Sequence, residues 1–203
     1  MGDRRLLAGT IAGLIVAPLL LTACGDDEKA AALHGSQVDP PFTVATQELV
    51  DTDGEPYSLT ADTDERLTMV FFGYTNCPDI CGRVLGNLSS AMTRLSEDDR
   101  DQVEVVFVTT DPARDTGEVV RAYLDRYDPS FVGVTGDLAD IEQVAASVAV
   151  GMGDELPSGG YDVDAHTTTV TGIDIADEAP IFWSQETSPS EFAEDIHALL
   201  RED

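Results

Sequence analysis

The sequence predicts one α/β domain, a three-layer sandwich with a central mixed sheet and an N-terminal β-hairpin. Three observations lead there. Apolar runs of strand length alternate along the chain with stretches of helical period. The closing part reads as two strands rich in β-branched and aromatic residues, followed by a helix. What remains behind a leader and a polar spacer, about 160 residues, is the size of one domain with an adequate core.

The leader comes first. The chain opens Met1-Gly2-Asp3-Arg4-Arg5, continues apolar over residues 6–21, and reaches Leu21-Thr22-Ala23-Cys24-Gly25. Arginines, an apolar core and small residues before a cleavage point make a bacterial export signal. The core is short for a membrane span and contains Pro18, which argues against a permanent helix. The four residues ending in Cys24 resemble a lipobox, in which the cysteine is lipidated and becomes the new N-terminus. Residues 1–23 are thus expected to be a lipoprotein signal peptide, and the mature chain to sit lipid-anchored on the extracytoplasmic face of the bacterial cell membrane. An uncleaved anchor or ordinary secretory cleavage would also place it outside the cytoplasm. Residues 24–41 are small and polar, end in Asp39-Pro40-Pro41, and read as a flexible tether to a domain over 42–203.

Within the domain, residues 42–44 and 57–59 flank Asp53-Gly54, a hairpin turn signal. Residues 67–72 and 103–108 are continuous apolar runs, the mark of strands buried on both faces, and 131–134 is a shorter one. Residues 167–173 and 181–183 form the closing strand pair. Helical patterns cover 78–95, 116–127, 138–148 and 189–200. Strand and helix alternating before a terminal hairpin and helix make an α/β sandwich, and the thioredoxin-like arrangement fits the order best.

The formal net charge is −28, and cleavage before Cys24 moves it to −29. Lys29 is the one lysine in the sequence. Such acidity favours solubility and disfavours nucleic acid or adsorption to anionic lipid. It also suits a cationic partner or a salty medium.

The chemistry concentrates in FFGYTNCPDICG. With Cys24 lipidated, Cys77 and Cys81 are the remaining thiols, in an oxidising compartment. Structural staples are usually more numerous and more widely spaced. A bridge over four positions closes too small a loop to stabilise much through chain entropy. On a helix from Pro78, Cys81, Leu85, Leu88, Met92 and Leu95 form one apolar stripe, and Cys77 stands at its N-terminal end. Pro78 suits a first helical turn. The helix N-terminus favours thiolate over thiol. Sulfurs one turn apart, about 5–6 Å at the Cβ level, can reach a shared ion or distort into a disulfide. Soft thiolates select copper(I) or zinc, and a nitrogen ligand would accommodate copper in either oxidation state. The spacing alone decides neither.

Three histidines are available as partners. His34 lies in the spacer with nothing to position it, and His197 sits on the last helix among Phe192, Ile196 and Leu200. His166 stands immediately before the strand Thr167-Thr168-Thr169-Val170, behind a Gly/Asp-rich loop that could aim it at the cysteine helix. Asp111-Pro112-Ala113-Arg114-Asp115 follows a strand, just as the cysteine loop does, and ligands gather at the carboxyl ends of strands. Asp111 and Asp115 are candidates to orient an imidazole or tune a thiol. Asp115-Thr116 reads more simply as a helix cap.

These motifs resemble the Sco (SenC) family of membrane-anchored, thioredoxin-like copper proteins. The resemblance spans residues 42–200 and rests on VFFGYTNCPDIC, VFVTTDPARDT, GVTGD and DAHTTTV, in the family's order and spacing. It implies copper, as Cu(I) or Cu(II), held by Cys77, Cys81 and His166, with Asp111 matching the aspartate of the second motif. It further implies a partner in the copper-site subunit of cytochrome c oxidase or another copper protein, receiving copper or having its thiols kept reduced. Gly82 departs from the proline common after the second cysteine, which loosens the helix start without removing a ligand. The alternative to a metallochaperone is a thiol–disulfide reductase cycling Cys77 and Cys81. Peroxide reduction is disfavoured, because Thr75 lies only two residues before Cys77 and no proline precedes it.

Overall fold

The computed structural model describes residues 32–153 and 167–201. Cys24 and His166 lie outside the described residues. The elements follow in the order β1 (Ser36–Thr43), β2 (Leu49–Asp51), β3 (Pro56–Tyr57), β4 (Leu67–Gly73), α1 (Ile80–Met92), α2 (Glu97–Arg100), β5 (Val103–Thr109), α3 (Gly117–Leu124), β6 (Val132–Thr135), α4 (Leu138–Ser147), β7 (Val170–Asp174), β8 (Glu178–Trp183) and α5 (Pro189–Leu199).

One eight-stranded sheet runs in the order β1-β8-β7-β4-β5-β6-β2-β3. It is mixed, as expected: β4, β5 and β6 are parallel, and the flanking pairs are antiparallel. The parallel centre explains the largely apolar runs, because strands covered on both faces have no solvent side to mark with alternating polar residues. Every residue of β4 is buried, and alternation divides them between two cores. Leu67, Met69 and Phe71 face a core with Leu85 and Leu88 of α1, Val120 and Leu124 of α3, and Phe192 and Ile196 of α5. Val70 and Phe72 face the other, with Ile141, Val144 and Ala145 of α4 and Leu49, Tyr57 and Leu59 of the N-terminal region. Three layers result.

The differences from the sequence reading lie at the edges. The Asp53-Gly54 turn is present, with Gly54 at φ +89°, but its arms are β2 and β3. Residues 42–44 are not one of those arms. Phe42 and Thr43 close β1, which pairs with β8 at the opposite edge of the sheet. β1 also reaches back to Ser36, into the stretch read as tether, so the sheet holds residues 36–41 by pairing that no apolar alternation announces. Prolines 40 and 41 are tolerated there because the strand is at an edge. β7 begins at Val170, three residues later than expected, and the helices are trimmed at both ends or at one. α2, a single turn capped by Ser96, has no apolar period to reveal it. α5 starts with the strongest local signal in the chain, a capping box between Ser188 and Glu191 with Pro189 in its first turn.

The chain approaches β1 over α5. Asp195, buried on α5, accepts hydrogen bonds from the main-chain N–H of His34 (2.9 Å) and of Gly35 (2.8 Å) and from Trp183 Nε1 (2.7 Å). His34, expected to lack a position, is therefore docked. Its ring lies 3.1 Å from Glu194 and 3.6 Å from Glu191. The hydrogen bond to Glu194, joined by the charges of Asp195 and Glu191 and opposed by desolvation, raises the imidazole above its ordinary pKa.

Candidate metal centre

The parallel strand pair sets the position of the cysteine loop. β4 ends at Gly73, whose carbonyl accepts from the N–H (2.6 Å) and hydroxyl (3.2 Å) of Thr110 just beyond β5. The chain then turns through residues 74–77, closed by the Cys77 N–H donating to the Tyr74 carbonyl at 3.2 Å. α1 starts at Ile80, so Cys77 precedes the helix and Cys81 lies in its first turn. Pro78 likewise stands before the helix. The N-cap residue Asp79 makes no side-chain capping bond. The Cys77 sulfur supplies one instead, accepting from the Cys81 N–H at 3.4 Å. The helix thus holds both sulfurs at its N-terminus, as the stripe implied.

Both are free thiols in different surroundings. Cys81 is 1% exposed, whereas Cys77 is half-buried. Gly73 makes room for the inner sulfur: a Cβ there would stand 2.9 Å from Cys81 Sγ and 3.0 Å from the Phe107 ring. Gly82, the departure from the family pattern, has a local reason. A Cβ at 82 would lie 2.8 Å from the Tyr127 hydroxyl, so that tyrosine takes the space a larger residue would need. Tyr127 is itself fixed edge-on against Tyr123, at a centroid distance of 5.3 Å.

The two environments push the thiols apart. Burial works to raise Cys77, but hydrogen bonds from the amides of Cys81, Asp79 and Ile80 and from the Cys81 thiol outweigh it, and its pKa falls below the ordinary thiol value. Burial raises Cys81 strongly, and the neighbouring Cys77 and Asp115 add to the shift. Thiolate is the reactive form, so lowering the pKa extends reactivity to lower pH. Alkylation of the reduced domain should accordingly modify Cys77 first, with a midpoint at lower pH than that of Cys81. Mass spectrometry after iodoacetamide pulses across pH 5 to 9 reads this, and equal labelling of both residues would contradict it.

Asp115 was expected to cap a helix, but Thr116 does so, its hydroxyl accepting from the Val119 N–H. The Asp115 carboxylate is fully buried beneath the cysteine loop. It accepts from the Thr75 N–H (2.8 Å), the Thr75 hydroxyl (2.6 Å) and the Thr109 hydroxyl (2.8 Å). Asp111 follows β5 at the same end of the sheet. Its carboxylate lies 3.5 Å from Arg114 Nε, and its N–H donates to the Thr109 hydroxyl at 3.1 Å.

Neither described histidine approaches the sulfurs as a donor. His34 is committed to α5, and His197 Nδ1 bonds Asp99 at 2.7 Å. Among the described residues no third His, Asp or Glu completes a metal-holding group with them. β7, however, enters the sheet where the cysteine loop leaves it, since Val170 pairs with Phe71, two residues before Gly73. Thr167 is tied to Gly151, donating its N–H to the carbonyl at 2.8 Å and accepting from the N–H at 3.1 Å.

Comparison with known proteins extends the picture. Residues 34–201 match the SCO1/SenC family. The human mitochondrial protein SCO1 homolog is 30% identical over 160 residues, covering 73% of this chain and 53% of its own length. The chain spans no more than about half the length of the curated relatives considered. Among solved structures, apo Sco1 from Thermus thermophilus superposes with a TM-score of 0.71 at 26% identity, covering 83% of this chain and 97% of that one. Copper-bound ScoI from Bradyrhizobium japonicum gives 0.63 at 29% identity, over 82% and 98%. With the thioredoxin-like sheet, the paired thiols and a match across nearly the whole described domain, the chain belongs to the SCO1/SenC family.

Proposed function

We propose that this protein is a membrane-anchored metallochaperone that binds copper and delivers it to the dinuclear copper site of cytochrome c oxidase. The observation that carries the proposal is the thiol pair at the start of α1, one sulfur half-buried and one buried, with Cys77 favoured as thiolate. Soft sulfur donors suit copper(I), and a site with one accessible edge lets a partner's ligands replace its own in turn. His166 would supply the nitrogen ligand. In support, β7, which His166 precedes in sequence, starts at the cysteine end of β4. Asp111, at that same end, would orient a ligand or tune a thiol. Cys24 would carry the lipid that holds the domain at the membrane surface. The family link supports the choice of partner, since BsSco, a structural relative, belongs to the Sco family of cytochrome c oxidase assembly proteins.

A second reading has its own support. An accessible thiol of lowered pKa backed by a buried thiol of raised pKa is the attacking and resolving arrangement of a thiol–disulfide reductase. Such a protein would keep the partner's cysteines reduced. Deleting the gene and measuring oxidase activity separates the two. Recovery on added copper supports delivery, and recovery on an external reductant alone supports reduction. Unimpaired oxidase in the deletion strain would remove both.

A further inference from the structure

We propose that Asp115 is a positioning residue of the cysteine loop, holding Cys77 over the start of α1 by clamping Thr75 to the end of β5. The inference rests on reading Cys77 and Cys81 as a paired donor set. A fully buried carboxylate is costly unless its oxygens are satisfied. Here no cation among the described residues pairs with it, and the charge is held by neutral donors alone.

The arrangement of those donors shows what the charge does. One oxygen takes the Thr75 hydroxyl; the other takes the Thr75 N–H and the Thr109 hydroxyl. Two of the three bonds therefore grip one loop residue, and the third anchors the carboxylate to the sheet. Thr75 is the second residue of the turn that ends at Cys77. Its backbone is fixed by this grip, and through it the position from which the Cys77 sulfur meets the Cys81 amide. Without the carboxylate Thr75 loses both of its bonds to the end of β5, and the turn is left to bonds that do not hold Thr75, such as that from the Cys77 N–H to the Tyr74 carbonyl and the zip between Gly73 and Thr110.

The clamp is tested by how well the two thiols are held together, read as the equilibrium constant for disulfide formation against dithiothreitol in the metal-free domain. Asp115→Asn keeps an oxygen for the Thr75 N–H and the Thr109 hydroxyl, and its amide can donate to the Thr75 hydroxyl, so geometry survives without charge. This variant should stay within about twofold of wild type. Asp115→Ala should lower the constant at least tenfold. Thr75→Val removes only the hydroxyl that reaches from the loop and should lower it about threefold to tenfold, which reads the clamp even if Asp115→Ala fails to fold. Thr109→Val cuts the bond that anchors the carboxylate to β5 and should lower it by a comparable factor. A carboxylate that merely stabilised the fold would lower the unfolding midpoint of Asp115→Ala and leave the disulfide constant at the wild-type value. That result, or a disulfide constant for Thr75→Val within twofold of wild type, overturns the proposal. The readout needs no metal, so wild-type protein that binds no copper would sink the chaperone reading separately.

Discussion

Replacing Cys81 with serine is expected to lower copper(I) affinity by more than about 100-fold while leaving the domain folded. Loss of groups that only orient a ligand typically costs 10–100-fold, and loss of a ligating thiolate costs more. The fold should survive because the change is small in volume and the buried oxygen keeps a partner, the Tyr74 main-chain amide that bonds the sulfur. Competition with a chromophoric copper(I) chelator reads the affinity, and circular dichroism reads the fold. Serine at 77 should have a comparable effect on affinity. Affinity within threefold of wild type for either variant would contradict a site built on both sulfurs.

The largest stability effect is expected far from the cysteines, at Asp195. Alanine there strips the partner from the Trp183 indole N–H in the core and from the His34 and Gly35 amides. A buried donor left unsatisfied costs about 1–3 kcal/mol, and the half-exposed amides recover part of their loss from water. A total near 3 kcal/mol follows, measurable by urea unfolding. Limited proteolysis should meanwhile cut sooner before β1, since the same carboxylate docks the approaching chain. A loss under about 1 kcal/mol, with unchanged proteolysis, would mean that β1 pairing alone holds the N-terminal segment.

Asp195 also shows where sequence reading stops. A carboxylate on a helix carrying Glu191 and Glu194 looks like one more solvated charge, and only the indole of Trp183 and the arriving backbone make it a core residue. β1 was illegible for a related reason. Its sequence is polar and proline-bearing, and it is a strand because β8 offers an edge to pair with. The central strands were readable because burial on both faces writes itself as largely apolar runs at residues 67–72 and 103–108, interrupted by Thr68 and Glu104. The helix stripe through Cys81, Leu85, Leu88 and Met92 was readable for the same reason, since each of these side chains is buried.

The site divides in the same way. Cys77 and Cys81 announce themselves by residue type and spacing. Asp115 does so only weakly: its place after a strand makes it a candidate, but an aspartate before a threonine at a helix start is the ordinary signature of a cap. Thr75 carried no signal beyond its nearness to Cys77. What distinguishes the pair is a contact across forty positions, brought about by the parallel pairing of β4 with β5. Gly82 is similar: the Tyr127 hydroxyl, set by the edge-on contact of Tyr127 with Tyr123, takes the space a larger residue would need.

The central claim is that Cys77, Cys81 and His166 together hold copper. X-ray absorption at the copper edge, on the reduced domain loaded with one equivalent of copper, tests it most directly. The expected spectrum has two sulfur scatterers and one imidazole nitrogen, with the imidazole contribution lost in His166→Ala and a sulfur lost in Cys77→Ser. Coordination by nitrogen and oxygen alone, or a spectrum unchanged by both substitutions, would contradict it.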